Sequence, residues 1–157
     1  EMCIRDRYRY LLLDDEQRDP FLDGRCWRVP EACTMDAFAR MHAEAAALVG
    51  KKDFAAFRGA ADQRENTVRS VSAVSLERSS EDPRLVRIDV RGDGFLYNMV
   101  RIIVGTLVDV GRGRLKPGVA ERALASKDRR VAGITAPADG LTLERFEMNG
   151  DSERGWL

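Results

Sequence analysis

G-D-G-F-L-Y-N-M-V-R-I-I-V-G-T-L-V-D-V-G-R-G-R, running from Gly92 to Arg114, is the stretch on which the fold turns. Between Gly94 and Val108 it holds one charge, Arg101, in fifteen residues. Nine of the residues from Tyr97 to Val110 are large and apolar, and they fall all round a helix rather than on one stripe. A helix that is apolar on every side is buried. An ionised side chain is almost never fully buried without a partner. Arg101 therefore either escapes into a cleft or meets an acid.

Upstream of this helix, Gly92-Asp93-Gly94 turns the chain out of a β-hairpin. The arms of the hairpin, Val68 to Arg78 and Leu85 to Arg91, alternate apolar and polar residues around the loop Ser79-Ser80-Glu81-Asp82-Pro83. Downstream, Gly111-Arg112-Gly113 ends the helix, and Pro117 suits the first turn of a short second one, Val119 to Ser126. Thr135-Ala136-Pro137 with Asp139-Gly140 is a loop, Leu141 to Met148 a last strand, and the polar tail 149–157 is expected to fray.

Toward the N-terminus, Tyr8 to Leu13 reads as a strand bounded by Asp14-Asp15-Glu16. Turns follow at Asp19-Pro20 and Asp23-Gly24, and Arg25 to Val29 is a short edge strand stopped by Pro30. Thr34 suits the N-cap of a helix from Met35 to Val49. Phe38, Met41, Ala45, Leu48 and Val49 recur there at helical spacing, and Gly50 is the natural stop. Asp53 to Arg58 is a short turn with two aromatics three residues apart. The order β, (β), α, β, β, α, α, β with hairpins gives an α+β fold: a mixed, mostly antiparallel sheet with helices packed on one face.

A length of 157 residues suits one domain with a real core. Residues 1–7, E-M-C-I-R-D-R, have no pattern of their own, and the chain does not begin with Met. They read as a foreign remnant of sequence assembly, so the native domain is taken as residues 8–148 of a protein that starts earlier. Net charge is zero, so no global field points to nucleic acid. The distribution is uneven, with 17 basic and 11 acidic residues from Lys51 to Arg130. The cations are 22 Arg against 4 Lys, which suits bidentate phosphate and base contacts but would also follow from high genomic GC content.

Cys3, Cys26 and Cys33 form no C-x-x-C, and His42, beside the apolar stripe of its helix, reads as a packed or surface histidine. Structural zinc and a secreted disulfide scaffold are both disfavoured, which points to a reducing, cytoplasmic compartment. No apolar run reaches the ~18 residues a membrane span needs. There is no G-x-S-x-G, no dinucleotide fingerprint and no P-loop, so no cofactor is expected.

What remains is a set of arginines and aromatics: Tyr8, Tyr10, Phe54, Phe57, Arg58, Arg64, Arg69, Phe95, Tyr97 and Arg101. Such side chains suit unstacked RNA bases and phosphates. Phe54, Phe57 and Phe95 also suit a core, and Arg64 and Arg69 could simply be solvated. Tyr8 and Tyr10 share one strand face, so if one packs in the core its companion can line the same side.

These residues also stand in a familiar order. Tyr8-Arg9-Tyr10 is followed by D-F-A-A-F-R at Asp53, R-x-N-T-V-R at Arg64, the Gly92 stretch, K-D-R-R at Lys127 and T-A-P-A-D-G-L at Thr135. In that order they resemble the TruA family of tRNA pseudouridine synthases, from about Tyr8 to Phe146. The resemblance implies an isomerase that converts uridine to pseudouridine in the tRNA anticodon stem-loop, at positions 38 to 40. It also implies no metal or organic cofactor, and a homodimer whose tRNA spans both subunits. In this family an aspartate in a G-R-T-D-A-G-V-H stretch attacks the target nucleoside.

No such stretch occurs here, and the only acid just before the Tyr8 strand, Asp6, lies in the suspected remnant. The resemblance therefore implies a C-terminal part that lacks the nucleophile and is inactive alone. It matches Tyr8 to the tyrosine that stacks on the target base, and Arg101 to the arginine that pairs with the missing aspartate. Arg58 and Arg64 are the next candidates for tRNA phosphate contact. A non-catalytic RNA-binding module of the same ancestry is the alternative. A domain serving only dimerisation would leave the charge in the buried helix unexplained.

Overall fold

A computed structural model describes residues 4–30 and 32–148 of the chain; the tail 149–157 and the first three residues of the suspected remnant lie outside it. Six strands form one sheet: β1 (Ile4–Leu13), β2 (Trp27–Arg28), β3 (Gly50–Asp53), β4 (Val68–Arg78), β5 (Leu85–Gly92) and β6 (Leu141–Met148). Along the sheet the order is β2-β1-β5-β4-β3, with β6 also pairing to β1. Only β1 and β2 run parallel; every other pair is antiparallel. Three helices, α1 (Met35–Ala47), α2 (Met99–Gly111) and α3 (Val119–Ser126), complete the expected α+β architecture.

Strand periodicity places the core. Tyr10 and Leu12 on β1 and Val86, Ile88 and Val90 on β5 are fully buried and join one cluster with residues of α1 and α2. Residues between them carry charge on the opposite face, where Arg9 lies across from Asp89 and donates to its carboxylate at 2.8 and 3.0 Å. In β4 the register shifts between Val71 and Ala73. That irregularity is why buried Val71 and buried Leu76 sit an odd number of residues apart yet face the same core.

The opening strand is longer than its composition suggests, because Ile4 to Arg7 pair with β6. Helix α1 begins where expected, with the Thr34 hydroxyl accepting from the Ala37 N–H at 3.2 Å. It stops two residues short of Val49, which is exposed. Leu48 caps it instead, its N–H bonding the Ala45 carbonyl at 3.1 Å while the Val49 N–H reaches the Ala46 carbonyl at 3.4 Å. Gly50 is not a helix stop but the first residue of β3, at φ 126°. No periodicity in Gly50-Lys51-Lys52-Asp53 announces a strand; β3 exists because β4 offers it an edge.

Helix α2 is buried at every position except Arg101. Tyr97 precedes it and is 54% exposed, so it does not belong to the apolar cylinder. A strap of chain, residues 132–137, lies directly along the helix. The Gly133 N–H donates to the Thr106 hydroxyl at 2.9 Å, and that hydroxyl donates to the Ile102 carbonyl. The Ile134 N–H reaches the buried Asp109 carboxylate. The Ala136 N–H donates to the Arg101 carbonyl at 3.0 Å. Such close approach needs Gly105, since a Cβ there would stand 1.8 Å from the Ile134 carbonyl oxygen. From the strap the chain passes through a single 3-10 turn, Ala138–Gly140, into β6. The buried Tyr10 hydroxyl donates to the Pro137 carbonyl at 2.5 Å.

The short helix α3 has no cap of its own. Its first N–H groups are met from α1: the buried Glu44 carboxylate accepts from Gly118 and from Ala120, the latter at 2.9 Å. An anion at a helix N-terminus is stabilising there.

Candidate functional site

Where the N-terminus of α2 meets β1, a cleft of about 320 Å³ opens. Its lining includes Tyr8 from β1, Arg101 from α2, Arg64 from the loop before β4, Leu141 from β6, and the segment Phe95 to Asn98. Three of the four residues singled out from the sequence, Tyr8, Arg64 and Arg101, thus come together. Arg58 does not line the cleft. It stands behind Arg64 and donates from Nη1 to the Arg64 carbonyl at 2.9 Å. Arg69 turns away and bonds the Asn66 and Val68 carbonyls. Phe54, Phe57 and Tyr10 are core residues with no exposed surface.

Arg101 escapes into this cleft. Its Nε donates to the Ala136 carbonyl at 2.7 Å, and Nη1 donates to the Asn98 side-chain oxygen at 3.1 Å. Among the described residues no carboxylate forms an ion pair with its guanidinium. Asp109, the acid nearest in sequence on the same helix, faces the strap and lies 4.0 Å from Arg114. Arg101 is therefore a half-buried cation oriented by two neutral acceptors. It can take one more anionic partner without leaving its place.

Asn98 earns its position through backbone geometry. It stands immediately before α2 at φ 60°, the left-handed region that Asn tolerates better than most residues. Its carbonyl accepts from the Ile102 N–H while its side chain holds Arg101. The sequence shows this residue only as part of the Y-N-M-V-R block. Neither its strain nor its bond to Arg101 has a compositional signature.

Tyr8 is half-buried, with its ring edge-on to Phe95 at 5.4 Å between centroids. Burial pushes its phenol above the usual range, and the Asp6 carboxylate adds to the effect. The phenol thus stays a neutral donor through the physiological range. Asp6 itself is raised by burial, and one of its oxygens is buried without a partner. Phe95 lines the cleft and also packs against the core, where its ring meets that of Tyr8 edge-on. The arrangement offers an aromatic face, a neutral hydroxyl and two guanidinium groups around a small opening. A flat, partly apolar, hydrogen-bonding group with anionic neighbours, such as a nucleotide, suits this set.

Among the described residues, no three His, Cys, Asp or Glu side chains converge as a metal site, and no helix is long and apolar enough to cross a membrane.

Residues 45–148, which hold Arg58, Arg64 and Arg101, match the family model described as tRNA pseudouridine synthase. The chain is 44% identical over 136 residues to a protein of Syntrophotalea carbinolica named tRNA pseudouridine synthase A, covering 87% of this chain and 52% of that protein. A protein of the same name from Acetivibrio thermocellus is 40% identical over 137 residues, covering 87% of this chain and 54% of the relative. One from a Thermoanaerobacter species is 38% identical over 139 residues, with 88% and 54% covered. The chain spans about half the length of the curated relatives it matches.

Proposed function

The chain belongs to the tRNA pseudouridine synthase family, and on that premise we propose that it supplies the base-binding half of an active site that isomerises uridine in the tRNA anticodon stem-loop, at positions 38 to 40. The observation that carries this reading is Arg101. It is the one residue of α2 that is not buried, it shares a cleft with Tyr8, and it has no acid partner among the described residues.

In this reading the nucleophilic aspartate comes from sequence outside the chain, and the chain alone is inactive. The aspartate enters the cleft beside Arg101, whose charge keeps the carboxylate ionised and therefore nucleophilic. Tyr8 stacks on the target uracil, with its neutral hydroxyl as a donor. Arg64 contacts a tRNA phosphate, and Arg58 supports Arg64 from behind. The glycosidic N1–C1′ bond breaks, the uracil turns, and a C5–C1′ bond forms; the C5 proton leaves to solvent and N1 takes one up. Electrons balance within the base, so the isomerisation needs no oxidant, metal or organic cofactor. The enzyme works in the cytoplasm as a homodimer, with one tRNA across both subunits.

The test is tritium release from tRNA carrying 5-tritiated uridine, using the longer protein that contains this chain. Release confined to positions 38 to 40 is expected. RNA binding without release would identify a non-catalytic RNA-binding module instead.

A further inference from the structure

Beside the residues already assigned, one acid sits at the mouth of the cleft in an unusual state. Asp62 is two residues before Arg64, a spacing that by itself suggests a solvated surface pair worth little. Yet only 3% of its side chain is accessible, against 49% for Arg64. Its carboxylate is fully used. One oxygen accepts from the Arg64 N–H at 3.0 Å and from Arg64 Nε at 2.9 Å. The other accepts from Arg64 Nη2 at 2.6 Å and from the Tyr97 N–H at 2.8 Å. The Tyr97 carbonyl is held in turn by the Gly59 N–H at 2.8 Å. The Tyr97 ring lies so close over Gly59 that a Cβ there would stand 2.8 Å from it.

Tyr97 is thus fixed at its main chain on both sides while 54% of the residue stays exposed on the cleft. Arg64 is gripped along one edge of its planar fork, leaving Nη1 for another acceptor. A carboxylate at the mouth of a site for RNA repels phosphate. What Asp62 contributes there is therefore geometry rather than affinity.

We infer that Asp62 is a positioning residue: it orients Arg64 and fixes Tyr97 so that the two present, side by side, a hydrogen-bond donor to phosphate and an aromatic platform for the nucleotide next to the one in the cleft. This rests on the reading of the cleft as the site of a tRNA uridine isomerase. Asp62 touches neither substrate nor reacting atoms. Its effect passes through the residues it holds, and it exchanges a loss of attraction for RNA against a defined approach.

The test uses the longer protein containing this chain and compares Asp62→Asn and Arg64→Lys with the parent in single-turnover and steady-state tritium release. Asparagine keeps the shape of Asp62 but cannot accept with both groups. Lysine keeps the charge of Arg64 but loses the fork. Both variants are expected to lower kcat about tenfold, as a misplaced substrate would. For Asp62→Asn the KM for tRNA stays the same or falls, because a repelling charge has gone. A merely structural defect would raise KM and lower kcat together, and that result overturns the inference, as does an unchanged kcat for Asp62→Asn. If Asp62→Asn does not fold, Arg64→Lys decides: full kcat overturns the inference, and lost kcat at unchanged KM supports it. A parent protein that releases no tritium would instead sink the functional reading itself.

Discussion

Along its buried flank, α2 meets main-chain groups of the strap; at its N-terminal end, where the cleft opens, it is surrounded by polar and charged side chains. On the strap side Gly105 admits the Ile134 carbonyl, and Thr106 and Asp109 accept the Gly133 and Ile134 N–H groups. On the cleft side a left-handed Asn98, a half-buried Arg101 and the Asp62–Arg64 pair do the holding. The first kind of contact is buried and depends on close main-chain approach, with the Asp109 carboxylate among its acceptors. The second depends on charge and can exchange partners when a ligand arrives. Arg101 belongs to both, with its carbonyl and Nε on the strap and Nη1 on Asn98. The difference teaches that close main-chain packing and side-chain polar contacts are kept on different parts of one helix, with Arg101 where they meet.

The sharpest way to separate the two sides is Arg101→Ala in the longer protein. It should lower turnover about a thousandfold, as expected when preorganised charge is removed from an active site. Binding of tRNA should change little; equal loss of both would place Arg101 in affinity rather than chemistry. Next in size is Gly105→Ala, which drives a methyl group into the strap. Denaturant unfolding of this chain should show a loss of about 3 kcal/mol, and a loss under about 1 kcal/mol would mean that the strap is free to shift.

Asn98 tests the cleft side more gently. Asn98→Ala should cost about 1–2 kcal/mol, since alanine resists the left-handed region and the bond to Arg101 is lost. Asn98→Gly should cost less, because glycine adopts that backbone freely. If the two variants are equally stable, backbone strain plays no part at Asn98.

The smallest effect is the acid response of the rim. The Arg64 guanidinium beside Asp62 holds its carboxyl well below the usual carboxylate range, with the Tyr97 N–H adding to the effect. A group depressed in the folded state stabilises fully above its unfolded value and loses that contribution as pH falls through its folded one. The Arg64 Nε–H resonance should therefore survive acidification through the ordinary carboxylate range. Its loss within that range would show an ion pair no tighter than a surface one.

Much of this division was legible in the residues. The hydrophobic surround of α2 announced a buried helix, and Arg101 stood out because nothing else between Gly94 and Val108 was charged. The hairpin arms, α3 and β6 followed from alternation and turn chemistry. What stayed hidden was made by main-chain partners. β3 has no apolar pattern and forms only against β4. The strap grips α2 through N–H and carbonyl groups, which every residue possesses. Asp62 carries no signal in the sequence, because one of its partners is the Tyr97 N–H, 35 residues away. Val49 was misplaced in the α1 stripe because the helix ends before it, with Leu48 taking the last apolar position.

Two neighbouring carbonyls of the strap have a further consequence. Ala136 is bonded to Arg101, and Pro137 is bonded to Tyr10, which shares a strand with Tyr8. Two consecutive carbonyls therefore tie the helix to the sheet beside the cleft, one bonded to each. Adjacent Cα atoms stand about 3.8 Å apart, so Arg101 on α2 and Tyr10 on β1 are anchored to points a single residue apart on the strap.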